Sequence, residues 1–163
     1  MFETIVKYAA GISAVVAVVT LLVTIIRSYI EYTKQNLLKR FEKYAELSAN
    51  WFEDKNIQAI IELLDEDPKH KLRTLPFTKK EAFVGFYEEI AVMLYSGLLN
   101  KRIAFYMFGY YTVRCFESKD FWHNLDMDKY YWSLFRRFAN EMKQIEQDIS
   151  AGRDNPDNWK FEF

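Results

Sequence analysis

The chain has two histidines, and each closes an Asp-x-x-His tetrad: Asp67-Pro-Lys-His70 and Asp120-Phe-Trp-His123. A carboxylate and an imidazole three residues apart share one face of a helix, the arrangement by which four-helix di-iron proteins hold their metals. That chemistry needs helical backbone at both places. Pro68 falls inside the first tetrad and the second abuts a helix break, so no metal site is assigned. Both histidines read as surface or interface groups, with His123 beside Trp122. Glu88 and Glu89 are adjacent, about 100° apart around a helix, and cannot act as a shared carboxylate pair. One of them is expected at the edge of the core, paired with Arg114 or Arg102, and the other in solvent. The single cysteine, Cys115, lies among aromatic residues and reads as a small buried side chain rather than a nucleophile. There is no Gly-rich phosphate loop and no compelling Ser/His/Asp order. No catalytic, metal or cofactor-binding residue is assigned. If the chain is an enzyme, the cluster to inspect is Glu88, Arg114 and His123, polar groups amid apolar neighbours where protonation is readily perturbed.

The elements that would carry these residues begin with composition. The chain has 163 residues, with 22 Lys+Arg against 23 Asp+Glu; half is apolar and 18% aromatic, with only 5 Gly and 3 Pro. This length allows one domain, and near-neutral charge argues against a nucleic-acid partner, which needs a basic face. One cysteine excludes an intrachain disulfide and a multi-Cys zinc site.

Residues 8–26, YAAGISAVVAVVTLLVTII, carry no charge. As a helix they cover about 28 Å, close to the hydrocarbon thickness of a bilayer. The run is too long for a secretory signal, its preceding flank is not basic, and no small-residue cleavage pair comes after it. An uncleaved transmembrane helix is expected. Lys7 alone precedes it, whereas Arg27, Lys34, Lys39, Arg40 and Lys43 come after, so the positive-inside rule places residues 1–7 outside and the chain from residue 27 in the cytoplasm. A free thiol suits that reducing compartment. Within the span, Ala10, Ser13, Ala17, Thr20 and Thr24 form a seam of small residues on one face, suited to close packing against a partner helix or a second copy.

From residue 27 to 150 the pattern is helical throughout, with residues 151–163 as a tail. Ile30, Leu37, Phe41, Tyr44 and Trp51 form a stripe at helical spacing that is expected to fold onto its own domain, because it is out of register with the seam. Asp54 caps a short helix with Ile57, Ile60, Ile61 and Leu64 inward. Residues 66–77 read as a loop. Thr78-Lys-Lys-Glu81 reads as a capping box opening a helix that buries Phe83, Phe86, Tyr87, Ile90, Met93 and Leu94 and stops at Gly97. Asn100 opens the next helix, to about Ser118, in which Gly109 would permit close helix packing. Asp126 or Asp128 opens the last, with Tyr131, Leu134, Phe135, Phe138, Met142 and Ile145 inward and Gly152 at its end. The fold class is therefore all-α: one transmembrane helix followed by a compact cytoplasmic bundle of four to five helices. The runs Phe105–Tyr111 and Tyr130–Trp132 put rings on more than one helix face, more than one core can absorb. The pairs Lys79-Lys80, Lys101-Arg102 and Arg136-Arg137 read as solvated, or as leaning on anionic headgroups.

Phe83-x-x-Phe86-Tyr87-Glu88-Glu89-Ile90-Ala91, Gly97-Leu98-Leu99 and Phe108-Gly109-Tyr110-Tyr111 with Arg114 resemble a family of short bacterial proteins, the domain of unknown function 4760, often found behind one transmembrane helix. The resemblance extends over about residues 37–150 and is firmest at 83–114. It implies an all-helical domain in which the aromatic-plus-carboxylate helix packs on the Phe-Gly-Tyr-Tyr helix, and it brings no activity or catalytic residue. Together these readings predict a membrane-anchored interaction or scaffold module at the bacterial inner membrane, with the lipid bilayer and a protein partner or second copy as its contacts and no cofactor. The alternatives are a membrane-associated enzyme or toxin-like effector, and a small subunit of a larger membrane complex.

Overall fold

The computed structural model describes the backbone of residues 2–67 and 69–160, and the side chains of residues 16–67 and 69–160. It is all-helical, with no strand among the described residues. The chain divides into two compact units, the first ending at Phe41 and the second beginning at Glu42.

Helix α1 runs from Phe2 to Glu53 and supplies the whole first unit. The long interval without Gly or Pro lets one helix continue over 52 residues. From Val16 to Phe41 its large apolar side chains are exposed, and an 18-residue window has a mean hydropathy of 1.5 with none of it buried. This helix is long and apolar enough to cross a membrane. The stripe expected to fold onto its own domain does so only in part. Ile30, Leu37 and Phe41 are exposed, while Tyr44 is half-buried and Trp51 buried. Leu47, which the stripe omitted, is fully buried.

The second unit contains about six helices besides the last turns of α1. Helix α2 (Lys55–Asp65) opens where Asp54 accepts from the backbone N–H of Asn56 at 2.7 Å and Ile57 at 3.2 Å, and it buries its four expected apolar residues. The stretch 66–77 is not simply a loop: α3 (Lys71–Thr74) forms there, held by Asp67 accepting from the N–H of Lys71 and Leu72. Helix α4 (Phe77–Tyr95) begins one residue before the expected cap, so Thr78 lies inside the first turn and the capping box does not form. The Pro76 carbonyl takes the N–H groups of Lys79 and Lys80 instead. At its other end Gly97, at φ 73°, closes a Schellman motif through Gly97 N–H to Leu94 O and Leu98 N–H to Met93 O.

Asn100 caps the next helix as expected, accepting from Arg102 N–H at 2.8 Å. That helix is α5 (Lys101–Ala104), a π-turn (Phe105–Gly109) and α6 (Tyr110–Glu117) in succession. The last long helix, α7 (Ser133–Ser150), is opened by neither Asp126 nor Asp128. Asp126 closes its own turn by accepting from Asp128 N–H, and a 3₁₀ turn at Tyr130–Trp132 leads into α7. Tyr131, expected inward, is exposed in consequence.

Helix α7 packs on α4 and α6, and α2 packs on α4 and α6. Phe83, Tyr87, Phe108, Phe121, Phe135 and Phe138 fill the centre. Trp51 lies against four rings: Phe86 at 5.6 Å, Phe108 at 5.7 Å, and Tyr87 and Tyr111 at 5.8 Å. Each such pair adds about 0.5–1.5 kcal/mol to the burial itself. Trp51→Ala is therefore expected to destabilise the second unit by about 3–5 kcal/mol, while Phe52→Ala, next to it but 65% exposed, changes stability by less than about 0.5 kcal/mol. Thermal unfolding of the two variants checks the contrast.

Candidate functional site

The three residues nominated for an enzyme reading go to different places. Glu88 leaves α4 toward the start of α7, where its Oε1 accepts from Phe135 N–H at 3.3 Å. Phe135 is the third residue of α7, one of the first-turn amides that a helix cannot satisfy internally, and α7 has no side-chain cap of its own. Glu88 thus caps a neighbouring helix, and it pairs with neither Arg114 nor Arg102. Partial burial raises its carboxyl pKa above the usual range, with the Phe135 amide acting in the opposite direction.

Arg114 is held on the α2 side of α6. Its Nη2 donates to Leu64 O at 2.6 Å, Nη1 donates to the Tyr110 hydroxyl, and Nε stands 3.6 Å from Asp65 Oδ1. The guanidinium also covers the Tyr110 ring, 5.4 Å from its centroid. His123 is exposed, in the turn after α6, with its backbone N–H on Asp120 O. Glu88, Arg114 and His123 share no partner among the described residues, so the proposed cluster does not assemble.

The histidine that does find a carboxylate is His70, and it crosses between the two tetrads. Its Nδ1 lies 2.5 Å from Asp120 Oδ2, and Arg73 Nε donates to Asp120 Oδ1 at 2.7 Å. His70 sits in the left-handed region at φ 51°, at the N-terminus of α3. His70 and then Arg73 hold the Asp120 carboxyl below its usual range. The trio is solvent-facing, where such pairs contribute little stability. Among the described residues no group of three or more His, Cys, Asp or Glu is placed to hold a metal ion.

Lys80 is the residue that sequence reasoning missed. Read as half of a solvated pair, it is 2% exposed, donating from Nζ to Phe121 O at 2.6 Å with the ammonium over the Phe121 ring. Its signal was positional: Lys80, Phe83, Val84 and Tyr87 share one helical face. Burial lowers its pKa. Of the other pairs, Arg137 stacks on the Tyr95 ring, 3.9 Å from its centroid, and Arg102 lies over the Trp159 ring. Cys115 is fully buried and its thiol is pushed well above its ordinary pKa by desolvation.

Gly109 has a different use from the one expected. A Cβ there would meet Phe105 Cδ2 at 2.6 Å, so the glycine admits a ring from its own helix rather than a neighbouring helix. Phe105 in turn packs against Trp159 of the tail, which is buried.

Two apolar surfaces stand open among the described residues. One is the apolar stretch of α1. There the hydroxyls of Thr20 and Thr24 donate to the carbonyls of Val16 and Thr20, so this part of the seam, with Ala17, offers packing rather than free donors. The side chains of Ala10 and Ser13 lie outside the described residues. The other is an open groove of about 710 Å³ over α4, bordered by Lys43, Glu88, Glu89, Val92, Leu98 and Leu134, with Gly85 on its floor.

The cap on α7 has a pH signature. A carboxyl whose pKa is raised on folding makes the native state bind more protons than the unfolded one between the two pKa values, so stability falls as pH rises through that window. Glu88→Gln, which keeps an acceptor for Phe135 N–H, is expected to remove this part of the decline, measured as melting temperature across the acid range. Glu88→Ala loses the cap, at a cost of about 1 kcal/mol.

Compared with family models, curated proteins and solved structures, the chain matches none.

Proposed function

We propose that the chain is a single-pass membrane protein, N-terminus outside, whose helical bundle works by binding at the inner face of a bacterial membrane, as a scaffold or assembly module. The observation that carries this reading is the exposed apolar helix: from Val16 to Ile26 its large side chains lie open along one unbroken helix. Exposing a surface of this size to water costs far more than a soluble domain tolerates, and a bilayer removes the cost. Five basic residues after the span against one before it support the orientation. The ring excess supports binding. Tyr106, Tyr110, Tyr130 and Tyr131 are exposed, and tyrosine is among the residue types enriched where protein surfaces are covered by partners.

The reading commits to two outcomes. A reporter fused to the C-terminus of the membrane-inserted protein is expected to be active on the cytoplasmic side, and activity only on the outer side would overturn the orientation. If the seam packs helix on helix, Ala17→Ile weakens crosslinking between membrane-embedded chains and Val18→Ile does not. Equal crosslinking in both would leave the seam facing lipid.

A further inference from the structure

We propose that the groove over α4 receives the basic stretch of α1, residues 27–41, from a second copy of the chain. The inference rests on the membrane-anchored reading and adds a partner to it.

The groove is built as though to be approached. Gly85 stands inside α4, where glycine costs about 1 kcal/mol relative to alanine. Its φ is not positive and a Cβ there would meet nothing within 4 Å. Neither packing nor backbone conformation requires the glycine, and its effect is to leave the groove floor bare. Val92 (56% exposed) and Leu98 (43%) form apolar walls. On the rim, Glu89 is exposed and has no ion-pair partner among the described residues. Lys43, the one lysine on that rim, is paired with Glu46 at 2.8 Å. The groove is therefore apolar with a spare negative charge.

Residues 27–41 have the complementary character. They carry Arg27, Lys34, Lys39 and Arg40 against Glu31, and Ile30, Leu37 and Leu38 are exposed between them. The asymmetry extends to the whole chain: residues 1–41 hold five Lys/Arg against two Asp/Glu, and the remainder holds 17 against 21. Segment and groove are both open in the single chain. Pairing segment with segment would set Lys34 and its neighbours against their own copies, a like-charge contact. Pairing segment with groove joins opposite charges, and a two-fold axis lets each chain give one of each. Two anchors in one bilayer also raise the effective concentration of the contact.

The test uses two differently tagged full-length chains reconstituted together in phosphatidylcholine vesicles, one carrying Leu37→Cys and the other Val92→Cys, under mild oxidation. A disulfide-linked band bearing both tags is expected. It should be lost when the Val92→Cys chain also carries Glu89→Lys, and separately when it carries Gly85→Leu, in variants whose melting temperature matches the parent. A chain with Leu37→Cys that links only to itself, or no mixed band from vesicles that retain both chains, overturns the proposal. Retention in the vesicles and the reporter fusion report on the anchor separately, so either result leaves that reading standing on its own measurement.

Discussion

Trp51 ties the architecture together. It is the last large apolar residue buried from α1, and its indole is enclosed by Phe86 and Tyr87 of α4, Phe108 of the π-turn and Tyr111 of α6. Four contacts from three elements make one side chain the place where the end of the long helix becomes a wall of the bundle. Tyr87 reaches on from there to Phe83 and Phe135, and Phe135 to Trp122 and Phe116, so the ring network extends through α7 to the far turn. Ring pairs prefer edge-to-face geometry, and most of these adopt it, which fixes orientation as well as distance.

Helix boundaries were legible where a single residue type decides them. Asp54 and Asn100 cap because a short side-chain acceptor can reach the first amides, and Gly97 and Gly152 end helices because both need positive φ. They were illegible where two signals competed. Pro76 pre-empted Thr78: the carbonyl before the helix already takes the first amides, and the threonine falls two residues too deep to cap. Asp126 engages its carboxylate in its own turn with Asp128 N–H, and a separate 3₁₀ turn at Tyr130–Trp132 opens the helix. The helical content, the long apolar helix and most of the core could be read from the sequence pattern alone, because periodicity records burial wherever a helix has one buried face.

The polar residues were harder to read, since a charged side chain carries no mark of where its partner is. Lys80 has the composition of a surface residue and the position of a core one. Glu88 satisfies an amide 47 positions away, and Asp120 takes His70 and Arg73 from 50 and 47 positions away. Sequence spacing ranks neighbours along a helix; these contacts are made across the bundle, and only packing sets them. The candidate cluster of Glu88, Arg114 and His123 fails for this reason, Glu88 and Arg114 each being drawn to a backbone group across the bundle while His123 stands exposed in a turn.

The π-turn at Phe105–Gly109 decides which faces the rings of its helix occupy. A π-turn holds one residue more than an α-helical turn, so the helix from Lys101 to Glu117 passes through it without a break but out of α-helical phase. The extra residue rotates the later turns by about 100° relative to the earlier ones. Phe105 packs on Trp159 of the tail and Tyr106 is exposed, while Tyr111 turns toward α2, where it donates to Asp65. The rings of this helix thus spread over two faces through one wide turn, and glycine at position 109 leaves the room that the Phe105 ring fills.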